Sequence, residues 1–171
     1  AGKTEILGGL ERYQPRLYLA YQSPRDNVRY FTERISRNPD DIEALYGLAV
    51  SESKMGRLEQ SRQNFVRALK LDPGDWEITR DFGISLFRQG SIAEAVEVLQ
   101  QANEMKADDR NTLFYLGRGY EAIGEHHAAL DLFEKINAMD PEDTETYYHL
   151  AMLYGKEEQM GESHYHFGEF F

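Results

Sequence analysis

The chain has 171 residues, with 19 Lys plus Arg against 30 Asp plus Glu, a net charge of −11, and no cysteine. That length suits one ordinary domain, and the acidic balance argues against both a nucleic-acid surface, which needs a basic stripe for phosphates, and a generic binder of anionic membranes. Without thiols there are no disulfides or cysteine chemistry, which leaves the compartment open, and no apolar run approaches the length that spans a bilayer.

Residues 1–23 form a lead-in segment. Leu7, Leu10 and Tyr13 predict a short helix that Pro15 would end, and Leu17 to Tyr21 would be either extended or packed against the first helical hairpin. Gly2-Lys3-Thr4 imitates the end of a phosphate-binding loop but lacks the preceding glycine and strand. Ser23 is placed to cap a helix, with Pro24 at its first position and Asp26 three residues after the cap. Val28, Phe31 and Ile35 then share one apolar face up to Pro39, so residues 24–39 are expected to be a single helix. Further helices are predicted at about 41–54, 58–71, 75–88, 92–105, 109–122, 126–139 and 143–156, with a last one from about 160.

Compared with itself, the chain repeats every 34 residues, in units starting at Ile42, Trp76, Arg110 and Thr144. The eighth positions hold Ala49, Gly83, Gly117 and Ala151, and the twentieth hold Ser61, Ala95, Ala129 and Ser163. Both must be small where two helices of a hairpin cross most closely. Gly56, Gly90 and Gly124 stand fifteenth, where a left-handed turn costs glycine little; Glu158 breaks the rule. Phe65, Leu99, Phe133 and Phe167 fill the twenty-fourth position, and Pro73, Ala107 and Pro141 close the units.

At these residues the chain resembles the tetratricopeptide repeat family, over roughly residues 38 to 171. The resemblance implies an all-α fold, a right-handed superhelical solenoid of helical hairpins. Residues 24–39 then become a degenerate half-repeat, with Phe31 on its twenty-fourth position, and 40–171 an array of four units, the last truncated. With its turn displaced and its final helix running to Phe170-Phe171, the chain is expected to be a piece of a longer protein. Tyr165, Phe167, Phe170 and Phe171 would leave an apolar patch for self-association or for docking further sequence.

No catalytic constellation is present. His126, His127, His149, His164 and His166 do not form the two-His, one-Glu helical signature of a zinc peptidase, and His164 and His166 fall on different helical faces. Neither a metal site nor a cofactor is expected, and these histidines are assigned structural or surface roles.

The inner face of the solenoid remains. Fifth positions hold Tyr46, Arg80, Phe114 and Tyr148; sixth positions Gly47, Asp81, Tyr115 and His149; ninth positions Val50, Ile84, Arg118 and Met152; Phe87 and Arg88 extend the second unit. Aromatic residues interleaved with arginine have the composition of contact hot spots. The expected function is therefore a non-catalytic module binding a partner polypeptide, with Arg80, Arg88 and Arg118 meeting its acidic or carbonyl groups. The alternative occupant is the lead-in segment or another domain of the same protein. Relatives that clamp a C-terminal carboxylate use Lys and Asn at positions five and nine, where this chain has Arg80 and Ile84, or Tyr46 and Val50. A second resemblance, carried by Pro15 to Tyr21 and Ser23-Pro24, is to the junction in bacterial zinc metallopeptidases with a C-terminal repeat region. It implies an accessory domain of an exported protease, in the periplasm or cell envelope, with zinc ligands upstream.

Overall fold

The computed structural model describes residues 15–156 and 160–170, and all regular structure among them is helical. Residues 15–21 form α1. They are followed by α2 (Pro24–Arg37), α3 (Ile42–Lys54), α4 (Leu58–Leu71), α5 (Trp76–Arg88) and α6 (Ile92–Met105), then α7 (Arg110–Ile123), α8 (His126–Met139), α9 (Thr144–Lys156) and α10 (Met160–Phe170). From α3 onward these helices begin within a residue of the positions the sequence predicts. The expected helix around Leu7 to Tyr13, the irregular turn at Glu158 and the side chain of Phe171 lie outside the described residues. Two compact halves divide at Ser85 and Leu86, within α5.

Each first helix of a hairpin starts on an aspartate. Asp41 accepts a hydrogen bond from Ala44 N (3.0 Å), Asp75 from Glu77 N and Ile78 N (3.0 and 3.1 Å), Asp109 from Thr112 N (2.8 Å) and Asp143 from Thr146 N (3.4 Å). These carboxylates satisfy amides that have no intrahelical partner. They recur at the repeat spacing, a signal the landmark pattern above overlooks. The second helices are entered differently, through Gly56, Gly90 and Gly124, whose φ values are 73, 82 and 87°. The amide after each glycine turns back onto a carbonyl five residues earlier: Arg57 onto Glu52 (2.9 Å), Ser91 onto Leu86 (3.0 Å) and Glu125 onto Tyr120 (2.9 Å). This closure needs a left-handed residue, which explains the glycine.

In the amino-terminal half the crossing of α3 and α4 is fixed by Ser61, whose hydroxyl donates to the Ala49 carbonyl at 2.8 Å. Phe31, Leu45, Ala49, Phe65 and Ala68 are buried there, and Phe65 stacks on Phe82 at 5.3 Å between centroids. Gly47 lets α2 approach α3, because a Cβ at that position would lie 2.3 Å from the Phe31 ring. In α1, Leu19 packs against the Phe31, Ala44 and Leu48 cluster, and Tyr18 stacks on Tyr30 at 4.1 Å. Residues 17–21 are thus helical and packed on the first hairpin rather than extended.

The carboxy-terminal half repeats the logic. Gly117 faces Phe133, whose ring would be 3.0 Å from an added Cβ, and Ser163 donates to the Ala151 carbonyl at 2.8 Å. Leu113, Phe114, Ala129, Phe133, Ile136, Leu150 and Leu153 form its core. On α10, Tyr165 and Phe170 are exposed and Phe167 is half-buried. His166 is buried, parallel to the Tyr154 ring at 5.5 Å, and its Nδ1 has no hydrogen-bond partner.

Two tests follow from this packing. Gly47→Ala should destabilise by about 1–3 kcal/mol, since the buried Phe31 ring must move. Adding Phe31→Leu should return part of the loss in thermal denaturation; a fully additive loss would show that the two sites do not share one space. Burial pushes the His166 imidazole below its ordinary value of 6.5, and His149 shifts the same way, also through burial. The folded state therefore binds fewer protons, so this stability is present above the ordinary histidine value and is lost as pH falls through it and then through the depressed folded value. The Tm of His166→Phe should fall less than that of the unaltered chain on acidification from neutral to about pH 5. Parallel Tm curves for the two proteins would refute this origin.

Candidate protein-interaction face

The first helices of the carboxy-terminal half bring most of the sequence-predicted residues there into one connected patch. Phe87 meets the Tyr115 ring edge-on at 5.6 Å. Arg88 donates from Nη2 to the Tyr115 hydroxyl (2.9 Å), and its guanidinium lies 5.5 Å from the ring centre. Arg118 sits 5.0 Å from the Phe87 ring and 5.9 Å from that of Phe114. Phe114 meets His149 edge-on at 5.4 Å, and His149 lies flat on Phe133 at 4.8 Å. Tyr148 continues the patch toward Phe170, 5.6 Å away. Tyr148 and Met152 are 42 and 36% exposed, one helical turn apart on α9.

His149 is oriented by a residue of the preceding repeat. Its Nδ1 lies 3.0 Å from Glu121 Oε2, and Glu121 Oε1 lies 3.5 Å from Lys156 Nζ. Burial lowers the imidazole's proton affinity more than Glu121 raises it. At neutral pH the ring is therefore neutral, with Nδ1–H donated to the carboxylate.

The amino-terminal half arranges the corresponding positions differently. Tyr46 donates its hydroxyl to Asp81 Oδ2 at 2.6 Å, and Asp81 Oδ1 accepts from Arg80 Nε at 2.8 Å. Burial, then the Asp81 charge, pushes the Tyr46 hydroxyl far above its ordinary value, so it stays a donor. Arg80 also lies 5.1 Å from the Trp76 ring centre. From α1, Arg16 reaches over Tyr46, 5.8 Å from its ring centre, and pairs with Glu77, with its Nε 3.9 Å from Glu43.

These contacts sort the expected residues. Tyr46, Ile84 and Phe114 are only 6, 9 and 3% exposed, so they support the surface from beneath. Large apolar side chains at these positions gain more by sinking into the hairpin than by facing solvent. Arg80 is engaged by Asp81 rather than held toward a partner, and Val50 is half-buried. Phe87, Tyr115, Arg118 and His149 are half-buried, and Arg88 is exposed with Tyr148 and Met152. Glu43 and Glu77 at position two and Glu121 at position twelve were missed, although both positions face the same side of a first helix as five and nine. Arg16 precedes the repeats, so no periodic signal marks it. No helix among the described residues is long and apolar enough to cross a membrane.

The tetratricopeptide repeat family model matches residues 46–111 and 80–144, which together take in more than half of the chain. MamA residues 41-end from Desulfovibrio magneticus RS-1 has a similar fold, with a TM-score of 0.83 at 22% identity, covering 95% of this chain and 92% of that one. YrrB, a TPR protein with an unusual peptide-binding site, superposes with a TM-score of 0.77 at 17% identity, covering 91% of this chain and 80% of its own. Hsp70-Hsp90 organizing protein 3 of Arabidopsis thaliana is 26% identical over 107 residues, 63% of this chain and 19% of the relative. The chain spans less than a fifth of the length of the curated relatives it matches. The 34-residue hairpins with their small crossing residues and left-handed glycines are the physical counterpart of that match, and the chain belongs to the tetratricopeptide repeat family of protein-interaction modules.

Proposed function

We propose that the patch formed by Phe87, Arg88, Tyr115, Arg118, Tyr148, His149 and Met152 binds a segment of a partner polypeptide that carries carboxylates. One observation carries this reading. Arg88 and Arg118 are held against aromatic rings, and neither is paired with a carboxylate among the described residues of a chain whose net charge is −11. A guanidinium held in this way keeps planar donors for a carboxylate on a partner. Tyr148 and Met152 supply exposed apolar area beside them for the partner's aliphatic or aromatic side chains. The peptide-binding site of YrrB, on the same fold, is consistent with this use of such an array.

Peptides selected on the unaltered chain from a random display library should combine Asp or Glu with a large apolar residue. Tyr115→Ala together with Arg118→Glu should weaken the best of them by about 30-fold or more in isothermal titration, the loss of one hot spot. Circular dichroism and Tm should barely change, because Tyr115 and Arg118 are only half-buried. Unchanged affinity would remove the patch from the binding site, and collapse of the helical signal would assign both residues to the core.

A further inference from the structure

We infer that the amino-terminal half carries a second recognition site of opposite chemistry, a seat for an arginine side chain of a partner polypeptide, covered in this structure by the chain's own Arg16. This does not rest on the carboxylate-binding reading of the other half. The seat is built from a ring and three carboxylates. The Tyr46 ring lies under the Arg16 guanidinium, Glu77 and Glu43 flank it, and Asp81 holds the Tyr46 hydroxyl. A flat cationic group between an aromatic face and carboxylates is the environment that favours arginine over lysine.

Arg16 fills this seat incompletely. Its Nη1 donates to Glu77, while Nε and Nη2 are buried without hydrogen-bond partners. Buried donors left unmade carry a desolvation cost that a better-placed guanidinium would avoid. The element that delivers Arg16 is also thinly attached. In α1, Pro15 is buried and Leu19 is half-buried, whereas Leu17, Tyr18, Ala20 and Tyr21 are exposed. Among the described residues, stacking of Tyr18 on Tyr30 and the contact of Leu19 with the Phe31 cluster are its other anchors. Little apolar surface must therefore be uncovered for α1 to lift. Lifting would return Glu77 to a surface short of positive charge, in a chain with 30 acidic residues against 19 basic ones. The occupant that restores the balance is an arginine brought by another polypeptide.

The test uses a short acetylated and amidated peptide of alanine and serine with spaced arginines, its lysine counterpart, and fluorescence anisotropy at physiological ionic strength. Arg16→Ala should bind the arginine peptide about tenfold more tightly than the unaltered chain does, and more tightly than it binds the lysine peptide. Adding Glu77→Gln to Arg16→Ala should abolish that gain. Equal affinity of Arg16→Ala and the unaltered chain, or indifference to Glu77→Gln, would overturn the inference. Hydrogen exchange on the unaltered chain covers the case in which Arg16→Ala does not fold. Saturating arginine peptide should raise amide exchange across residues 17–21, and continued protection of that helix would show that Arg16 is a structural staple.

Discussion

Everything in this chain depends on how closely two helices of one hairpin can approach. The clearest measure is a side chain of one helix bonded to the backbone of the other. Ser61 donates to the Ala49 carbonyl and Ser163 to the Ala151 carbonyl, both at 2.8 Å across an offset of twelve residues. A hydroxyl reaches a helical carbonyl of its neighbour only where neither helix carries bulk at the crossing. Where the pair is Gly117 and Ala129, the space goes instead to the Phe133 ring. The same rule thus has two solutions, a polar one and an aromatic one. In the first three units the twenty-fourth side chain is fully enclosed, as Phe65, Leu99 and Phe133 show, and in the fourth Phe167 is half-buried.

That close approach decides what the first helices have left to display. With positions eight and twenty joined, the fifth side chain points inward in two of the four units, whereas Tyr148 remains 42% exposed. Tyr46 and Phe114 are the buried two, while Asp81, Tyr115 and His149 at the sixth position and Val50, Arg118 and Met152 at the ninth keep some exposure; Gly47 and Ile84 do not. The two halves use this remaining face in different ways. In the amino-terminal half its charges are closed among Tyr46, Arg80, Asp81, Glu77 and Arg16. In the carboxy-terminal half, rings hold Arg88 and Arg118, and the Glu121 carboxylate is answered by His149 and Lys156.

Helix positions were legible because their determinants are local. A glycine at φ 73 to 87° and the proline closing two of the units, Pro73 and Pro141, fix helix ends largely through local geometry. The aspartate caps were equally local and equally regular, and only the choice of landmarks concealed Asp41, Asp75, Asp109 and Asp143. The site was less legible, because spacing gives the side of a helix but not the depth of a side chain on that side. Arg80 illustrates the gap: its position is right for a partner, yet its neighbour Asp81 engages it. Arg16 lay beyond reach, since its contacts with Glu77 and Tyr46 span sequence separations that no repeat relates.

How an arginine is held determines what it can still do. An exposed guanidinium over an aromatic ring gains on the order of 0.5–1 kcal/mol, enough to bias its orientation but well short of a carboxylate hydrogen-bonded in a desolvated setting. The ring contacts a face of the guanidinium and leaves the N–H groups on its edge unengaged, so stacking orders the side chain without using its donors. Arg118 over Phe87 and Phe114 is in that condition, and Arg88, with one bond to the Tyr115 hydroxyl, is close to it. Arg110 is the contrast within the same half. It lies 5.0 Å from the Phe114 ring centre but also pairs with Asp143 and Glu145 at 2.6 and 3.2 Å, so its donors serve the joint between two repeats. Three arginines thus stand over rings of one connected cluster, and among the described residues a carboxylate at the guanidinium edge distinguishes Arg110 from Arg88 and Arg118.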